Sequence, residues 1–349
     1  MKPNHRIRAC YMRHNSPLKT TFVNLKQLQA AASQMPKPDI PEPMRYALEL
    51  SPGAVRLTRT SNIESNTKPP GYKPRTSIDE WSDKSRANMV KRLCTLDYQP
   101  LLGKPNRIPA LITLTYPGNW QTVVPDGKTA KRHLKVFRAR YERRWGEALL
   151  AVWKMEFQRR GAVHFHLYTA PPSDPSFAEW LSATWAHIVN HPDPNEYAKH
   201  LTAGTGIDYN TGARSTDPKR VAVYFSKHNS PNKGTKEYQN QPPQEWLTAG
   251  SVGRFWGYWK LKPLTVTAEL THLNAIKAAR ILRRWAKANS TPKKVKVWRT
   301  NLRTGECKQR KATRRTTPKL KQSIGFLATS DGAALGTHIA KAINVLDCM

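Results

Sequence analysis

The segment Trp153–Tyr168 reads WKMEFQRRGAVHFHLY. Side chains on a strand alternate faces with period two. On the first half, Trp153, Met155 and Phe157 share one face, and Lys154, Glu156 and Gln158 the other. On the second half, Val163, Phe165 and Leu167 share one face, and His164, His166 and Tyr168 the other. Arg159-Arg160-Gly161 fits a three-residue hairpin loop with glycine in the left-handed position. That loop pairs 158 with 162, 156 with 164 and 154 with 166, which sets apolar face against apolar face.

Working outward, the neighbouring segments read as a mixed α/β region. Ser82–Leu96 is helical, with Met89, Leu93 and Leu96 on one side. Ala110–Tyr116 (ALITLTY) is a strand closed by Pro117. Thr129–Trp145 is a helix with Leu134, Phe137, Tyr141 and Trp145 at spacings of 3, 4 and 4. Leu149–Gln158 and Ala162–Thr169 are the hairpin strands. Ser176–Asn190 is a helix whose tryptophans, with Trp145, read as core. A short strand is expected near Leu201–Tyr209. Asp217-Pro218 opens a helix to about His228, an N-cap acid followed by proline at the first helical position.

The hairpin register sets Glu156 across from His164, with His166 two residues along on the same side. Cβ atoms of such neighbours lie about 5 to 7 Å apart. Two imidazoles and a carboxylate converging on one point make an open site for a divalent ion. Imidazole with carboxylate suits Mn²⁺ or Zn²⁺, and Mg²⁺ when substrate phosphate completes the shell. Too few protein ligands to close the shell is a catalytic pattern.

On the helix from Asp217, Arg220, Tyr224 and Lys227 fall within one narrow sector at about 100° per residue. Val221 and Phe225 lie on a neighbouring sector. A phenol between two cations is favoured as phenolate, and the same cations neutralise charge developing on a bound phosphate. These parts suit phosphodiester transesterification with Tyr224 as nucleophile.

The order is a strand LITLTY, then E-x7-H-F-H, then Y-F-S-K about 60 residues on. It resembles rolling-circle replication initiators of the HUH endonuclease superfamily, of the filamentous-phage and bacterial-plasmid kind. RGAVHFHL (Arg160–Leu167) is similar to that family's metal motif, with Phe165 as the hydrophobic residue between the histidines. GRFWGYW (Gly253–Trp259) is similar to a segment following its tyrosine motif. The resemblance implies an α+β fold, with a central antiparallel sheet of about five strands flanked by helices and the histidines on a central strand. It implies His164 and His166 as ligands of Mg²⁺ or Mn²⁺, with Glu156 as the third. It implies Tyr224 as the nucleophile, leaving a 5′-phosphotyrosine and a 3′-hydroxyl primer, and Lys227 positioning metal or phosphate. Four residues before Tyr224 stands Arg220 and four after stands His228, so the pattern is that of a single-tyrosine enzyme. Termination then needs a second subunit in a homodimer, a water molecule, or a tyrosine from elsewhere.

The 349 residues carry 58 Lys and Arg against 24 Asp and Glu, a formal charge of +34. Such a charge argues against an ordinary metabolic enzyme and for a polyanion partner. It divides as +9 over 1–75, +11 over 76–262 and +14 over 263–349. Residues 1–75 read as a proline-rich basic arm with a short helix over Gln27–Ala32. Residues 76–262 read as the endonuclease domain. Residues 263–349 read as a basic, helical and partly disordered DNA-binding extension, with a helix over 268–288 and a small hairpin of Val295–Arg299 and Cys307–Arg310. Arg220, Arg254, Trp256, Lys260, Arg283, Arg284, Lys293 and Lys294 are the candidate DNA contacts. Trp256, Tyr258 and Trp259 among Arg254, Lys260 and Lys262 suit stacking on unpaired bases.

No run of about 18 apolar residues exists to span a bilayer, and MKPNHRIRACYMRHNS has no secretory h-region. Cys10, Cys94, Cys307 and Cys348 show no C-x-x-C spacing and read as reduced thiols in the cytoplasm of a bacterial host. No G-x-x-x-x-G-K-[ST] is present. A replication role on single-stranded and origin DNA therefore requires a host helicase and DNA polymerase. Two rival readings stand beside this one: a single-tyrosine transposase or relaxase, and a non-enzymatic nucleic-acid-binding or packaging protein.

Overall fold

The computed structural model describes residues 22–36, 44–61, 78, 80–215, 217–227, 238–239, 241–248, 250, 252–315 and 325–347. Its elements begin with α1 (Leu25–Ser33), β1 (Met44–Ser51), β2 (Ala54–Ser61), α2 (Asp83–Thr95), α3 (Gln99–Leu102) and β3 (Ala110–Thr115). The middle holds α4 (Gly127–Trp145), β4 (Ala151–Gln158), β5 (Val163–Thr169), α5 (Phe177–Val189), α6 (Pro194–Ala203), β6 (Thr205–Asp208), α7 (Tyr209–Arg214) and α8 (Pro218–Lys227). Then come β7 (Tyr238–Gln239), α9 (Gln244–Thr248), β8 (Trp256–Trp259), β9 (Val266–Leu270), α10 (His272–Ala288), β10 (Lys293–Thr300), β11 (Cys307–Arg314), β12 (Gly325–Ala328) and α11 (Gly332–Asp347). The protein is α+β with antiparallel sheets flanked by helices, as expected.

The chain divides into two compact units. The first is built mainly from 100–260. Its sheet runs β6-β3-β5-β4, and β7 and β8 pair successive stretches of the far side of β4. All pairings are antiparallel. The strand with both histidines, β5, is central. Phe157 pairs with Val163, Glu156 with His164 and Lys154 with His166, the register expected from the loop. Gly161 has φ +82°, a left-handed conformation that glycine adopts without the Cβ penalty.

One face of this sheet is apolar. Trp153, Met155, Phe157, Val163, Phe165 and Leu167 are buried, and Lys131 of α4 lies over the Trp153 and Phe165 rings at 5.5 and 5.9 Å. The helices there share an aromatic cluster. Phe137 meets Trp185 at 6.2 Å, and Trp145 meets Trp180 at 5.9 Å. These tryptophans are packing residues, as their helical spacing suggested. At the edge, Gly257 of β8 lies against Trp153, whose ring a Cβ would meet at 2.7 Å.

The second unit is assembled from 23–77, 82–99 and 261–349, as far as these are described. Its sheet has the order β12-β2-β1-β9. Leu48, Leu50, Val55 and Leu57 bury against Leu28 and Ala31 of α1, Ala278 and Leu282 of α10, and Ile339 and Ile343 of α11. The boundaries therefore differ from those expected. Residues 44–61 are not an arm but two paired strands around a Pro52-Gly53 turn, and they join the C-terminal segments. Ala268–Leu270, read as the start of a helix, is the end of β9, because Tyr46 pairs with Leu270 and Leu48 with Ala268. The helix starts after Thr271, whose side chain accepts from Asn274 N–H at 3.2 Å. The expected small hairpin is present and longer, as β10 and β11. Cys94 is buried and Cys307 exposed, both as free thiols. Cys10 and Cys348 lie outside the described residues. Among the described residues no helix is long and apolar enough to cross a membrane.

Candidate active site

The second face of the first sheet carries Lys154, Glu156, His164 and His166. The sequence suggested a solvent-facing polar face. In the fold these side chains are buried, at 1, 2, 4 and 5% exposure respectively, and α8 lies beside them. Asp217 caps that helix, accepting from Arg220 N–H at 2.9 Å, and burial raises its carboxyl above the usual range. Val221, Ala222 and Phe225 are buried, so the helix packs by the face the sequence assigned to it.

The two imidazoles stand edge to face with centroids 4.5 Å apart. Each is oriented through Nδ1 by a threonine of β3: Thr115 Oγ1 lies 3.1 Å from His164 Nδ1, and Thr113 Oγ1 lies 3.3 Å from His166 Nδ1. A hydroxyl accepting from Nδ1–H fixes the tautomer whose Nε2 can coordinate a metal. The strand that carries these threonines is itself fixed. The Thr115 carbonyl accepts from Trp185 Nε1 at 2.6 Å and from His200 Nε2 at 2.7 Å. Arg160 in the hairpin loop donates to the carbonyls of Tyr116, Pro117 and Gly118 at 2.6, 2.5 and 3.0 Å. Behind this strand end, His133 pairs with the Tyr116 hydroxyl at 3.1 Å, and burial lowers its pKa to about 4, so it is neutral.

Glu156 is placed differently from expectation. Its Oε1 lies 2.5 Å from Lys154 Nζ, and its Oε2 lies 3.5 Å from His166 Nε2. Among the described residues no group of three or more His, Cys, Asp or Glu is arranged to hold a metal ion. The donor set thus fits a divalent ion through two imidazole nitrogens, and Glu156 is engaged by a lysine. Lys154 also donates to the Phe225 carbonyl at 2.8 Å and lies 5.1 Å from the Trp81 ring centroid. It therefore links the sheet to the last turn of α8, where carbonyls lack intrahelical partners.

Helix α8 brings Tyr224 to this group. The Tyr224 ring lies edge-on to His166, with centroids 6.3 Å apart and planes at 88°. Arg220, expected to share its sector, turns back toward the helix start, with Nε 3.3 Å from Asp217 Oδ2 and a guanidinium N–H donating to the Arg214 carbonyl at 3.2 Å. The Lys227 side chain and His228 lie outside the described residues.

The expected DNA contacts are spread. In the first unit, Arg254 and Trp256 are half-buried and Lys260 is exposed. Trp259 is drawn into packing, 6.3 Å from Trp153 and beneath the Arg138 guanidinium at 5.5 Å. Arg283, Arg284, Lys293 and Lys294 belong to the second unit, on α10 and β10. Sequence reasoning missed Lys154, Thr113 and Thr115. The threonines had a signal: they alternate in LITLTY and so share one face of the strand.

No curated protein and no solved structure gives a significant match to the chain. Helix α8 lies beyond the span that a family model does match. Residues 109–207, which carry Glu156, His164 and His166, match the family model for replication-associated proteins of the ORF2 and gene-2-protein type, consistent with a rolling-circle replication initiator.

Proposed function

We propose that the protein is a metal-dependent, site-specific DNA endonuclease and strand transferase that starts rolling-circle replication. The observation that carries this reading is the Tyr224 ring set against His166, on a helix seated over the histidine face. His164 and His166 would hold Mg²⁺ or Mn²⁺ through Nε2, with Glu156 as a third ligand once its carboxylate is shared with Lys154. A divalent ion bound there supplies Lewis-acid polarisation of a phosphate oxygen.

The chain's own residues do the rest. Tyr224 Oη attacks the phosphorus, the bond from phosphorus to the 3′-oxygen breaks, and the phenolic proton ends on the departing 3′-hydroxyl. The products are a 5′-phosphotyrosine and a 3′-OH primer. The Thr113 and Thr115 hydroxyls hold the imidazoles in one tautomer. Lys154 anchors the end of the tyrosine helix, and Lys227, one turn after Tyr224, would meet phosphate charge. Arg254, Trp256 and Lys260 would hold the single strand, and Arg220 would add charge at the start of the helix. Unwinding and extension would fall to a host helicase and polymerase in the bacterial cytoplasm, and with one tyrosine on the helix a second subunit is one route to termination. Incubation with single-stranded origin DNA and Mg²⁺ or Mn²⁺ tests the reading: a protein–DNA adduct that Tyr224→Phe abolishes is expected, and an adduct that survives the substitution refutes the assignment.

A further inference from the structure

We propose that the β10–β11 hairpin is a duplex-DNA-binding ribbon that enters the major groove. It is a two-stranded sheet of its own, with eight residues per strand in full register from Lys293↔Arg314 to Thr300↔Cys307. Residues 293–315 carry ten Lys and Arg against one acid, Glu306, and that acid sits in the connecting loop paired with Lys308 at 2.7 Å. The ribbon's two faces differ. One presents half-buried Val295, Val297 and Ala312. The other presents Lys294, Lys296, Trp298, Gln309 and Lys311, all exposed, with Trp298 at 68% exposure. A large indole held in solvent between lysines, across from a glutamine, has no packing role on this face and suits contact with a partner.

The dimensions fit B-form DNA. At about 3.4 Å per residue each strand is about 27 Å long, the rise of about eight base pairs. A two-stranded ribbon is one of the two elements that the major groove, about 12 Å wide, admits. Gln309 and the lysines supply donors for base edges and phosphates. The ribbon's root is tied down: the Arg315 guanidinium donates to the Ala288 and Ser290 carbonyls at the C-terminal end of α10, the latter at 3.0 Å. Charge continues into that helix through Arg280, Arg283, Arg284 and Lys287.

This surface does not depend on the nicking chemistry, so the test omits metal. Full-length protein is titrated against a fluorescent 20-base-pair DNA duplex, the matching single strand and an RNA duplex of equal length, across a salt series. Relative to wild type, the Lys294→Ala/Lys296→Ala/Lys311→Ala variant should bind the DNA duplex at least tenfold more weakly. The slope of log affinity against log salt should shrink by about 2.7, the value for three lost phosphate contacts. Trp298→Ala should weaken duplex binding with little change in slope. Both variants should melt at the wild-type temperature, since the substituted side chains are exposed. Unchanged duplex affinity in the triple variant overturns the proposal. An equal loss on the single strand also overturns it, and so does wild-type affinity for duplex RNA, whose narrow major groove admits no ribbon.

Discussion

Lys154 Nζ lies 2.5 Å from Glu156 Oε1, and both side chains are almost fully buried on the sheet face that Tyr224 covers. They are two residues apart on one strand, so the pleat alone puts them on the same side. The lysine meets the acid's charge and, through the Phe225 carbonyl, ties down the end of α8. Removing one partner of a buried pair leaves an uncompensated charge. Lys154→Met should therefore cost about 3 to 5 kcal/mol in urea denaturation. Adding Glu156→Leu to it should recover much of the loss. A Lys154→Met protein as stable as wild type would mean that the pair does not hold this face together.

The threonines on β3 should matter for metal without touching it. Thr113→Val and Thr115→Val keep side-chain volume and delete the hydroxyls at His166 and His164 Nδ1. Loss of such orienting partners lowers metal affinity about 10- to 100-fold. Titration of each variant with Mn²⁺ checks this, and wild-type affinity in both would remove the threonines from the site.

Stability should fall with acid through His133. Its folded pKa of about 4 lies below the unfolded value of about 6.5. Between those values the unfolded chain binds a proton that the folded chain does not, so stability drops as pH falls from about 6.5 toward 4, by at most about 1.4 kcal/mol per unit. Denaturation at pH 7 and pH 5 measures the difference. His133→Phe should reduce it, and an unchanged difference would assign the pH dependence to other groups.

The hairpin at the centre of the site was legible because its two-residue period is strict and its three-residue loop leaves one register. Helices α2, α4, α5 and α8 were legible from caps and apolar spacing. The second unit was not, because its strands pair across more than two hundred residues, as Tyr46 does with Leu270. The Pro52-Gly53 turn between YALEL and AVRLT was a local hairpin signal all the same. Within the site, the histidine–glutamate register followed from local rules. The binding of Glu156 by Lys154 did not, because only burial of that face by the distant α8 makes a lysine two residues away choose the acid over water.

The central claim is that Tyr224 forms a covalent bond with DNA on the face built by His164 and His166. The most direct measurement is mass spectrometry of tryptic peptides after reaction of full-length protein with single-stranded origin DNA and Mn²⁺. The account predicts a nucleotide adduct on the peptide containing Tyr224, absent in Tyr224→Phe and strongly reduced in His164→Ala. An adduct on another tyrosine, or full adduct formation in Tyr224→Phe, would contradict it.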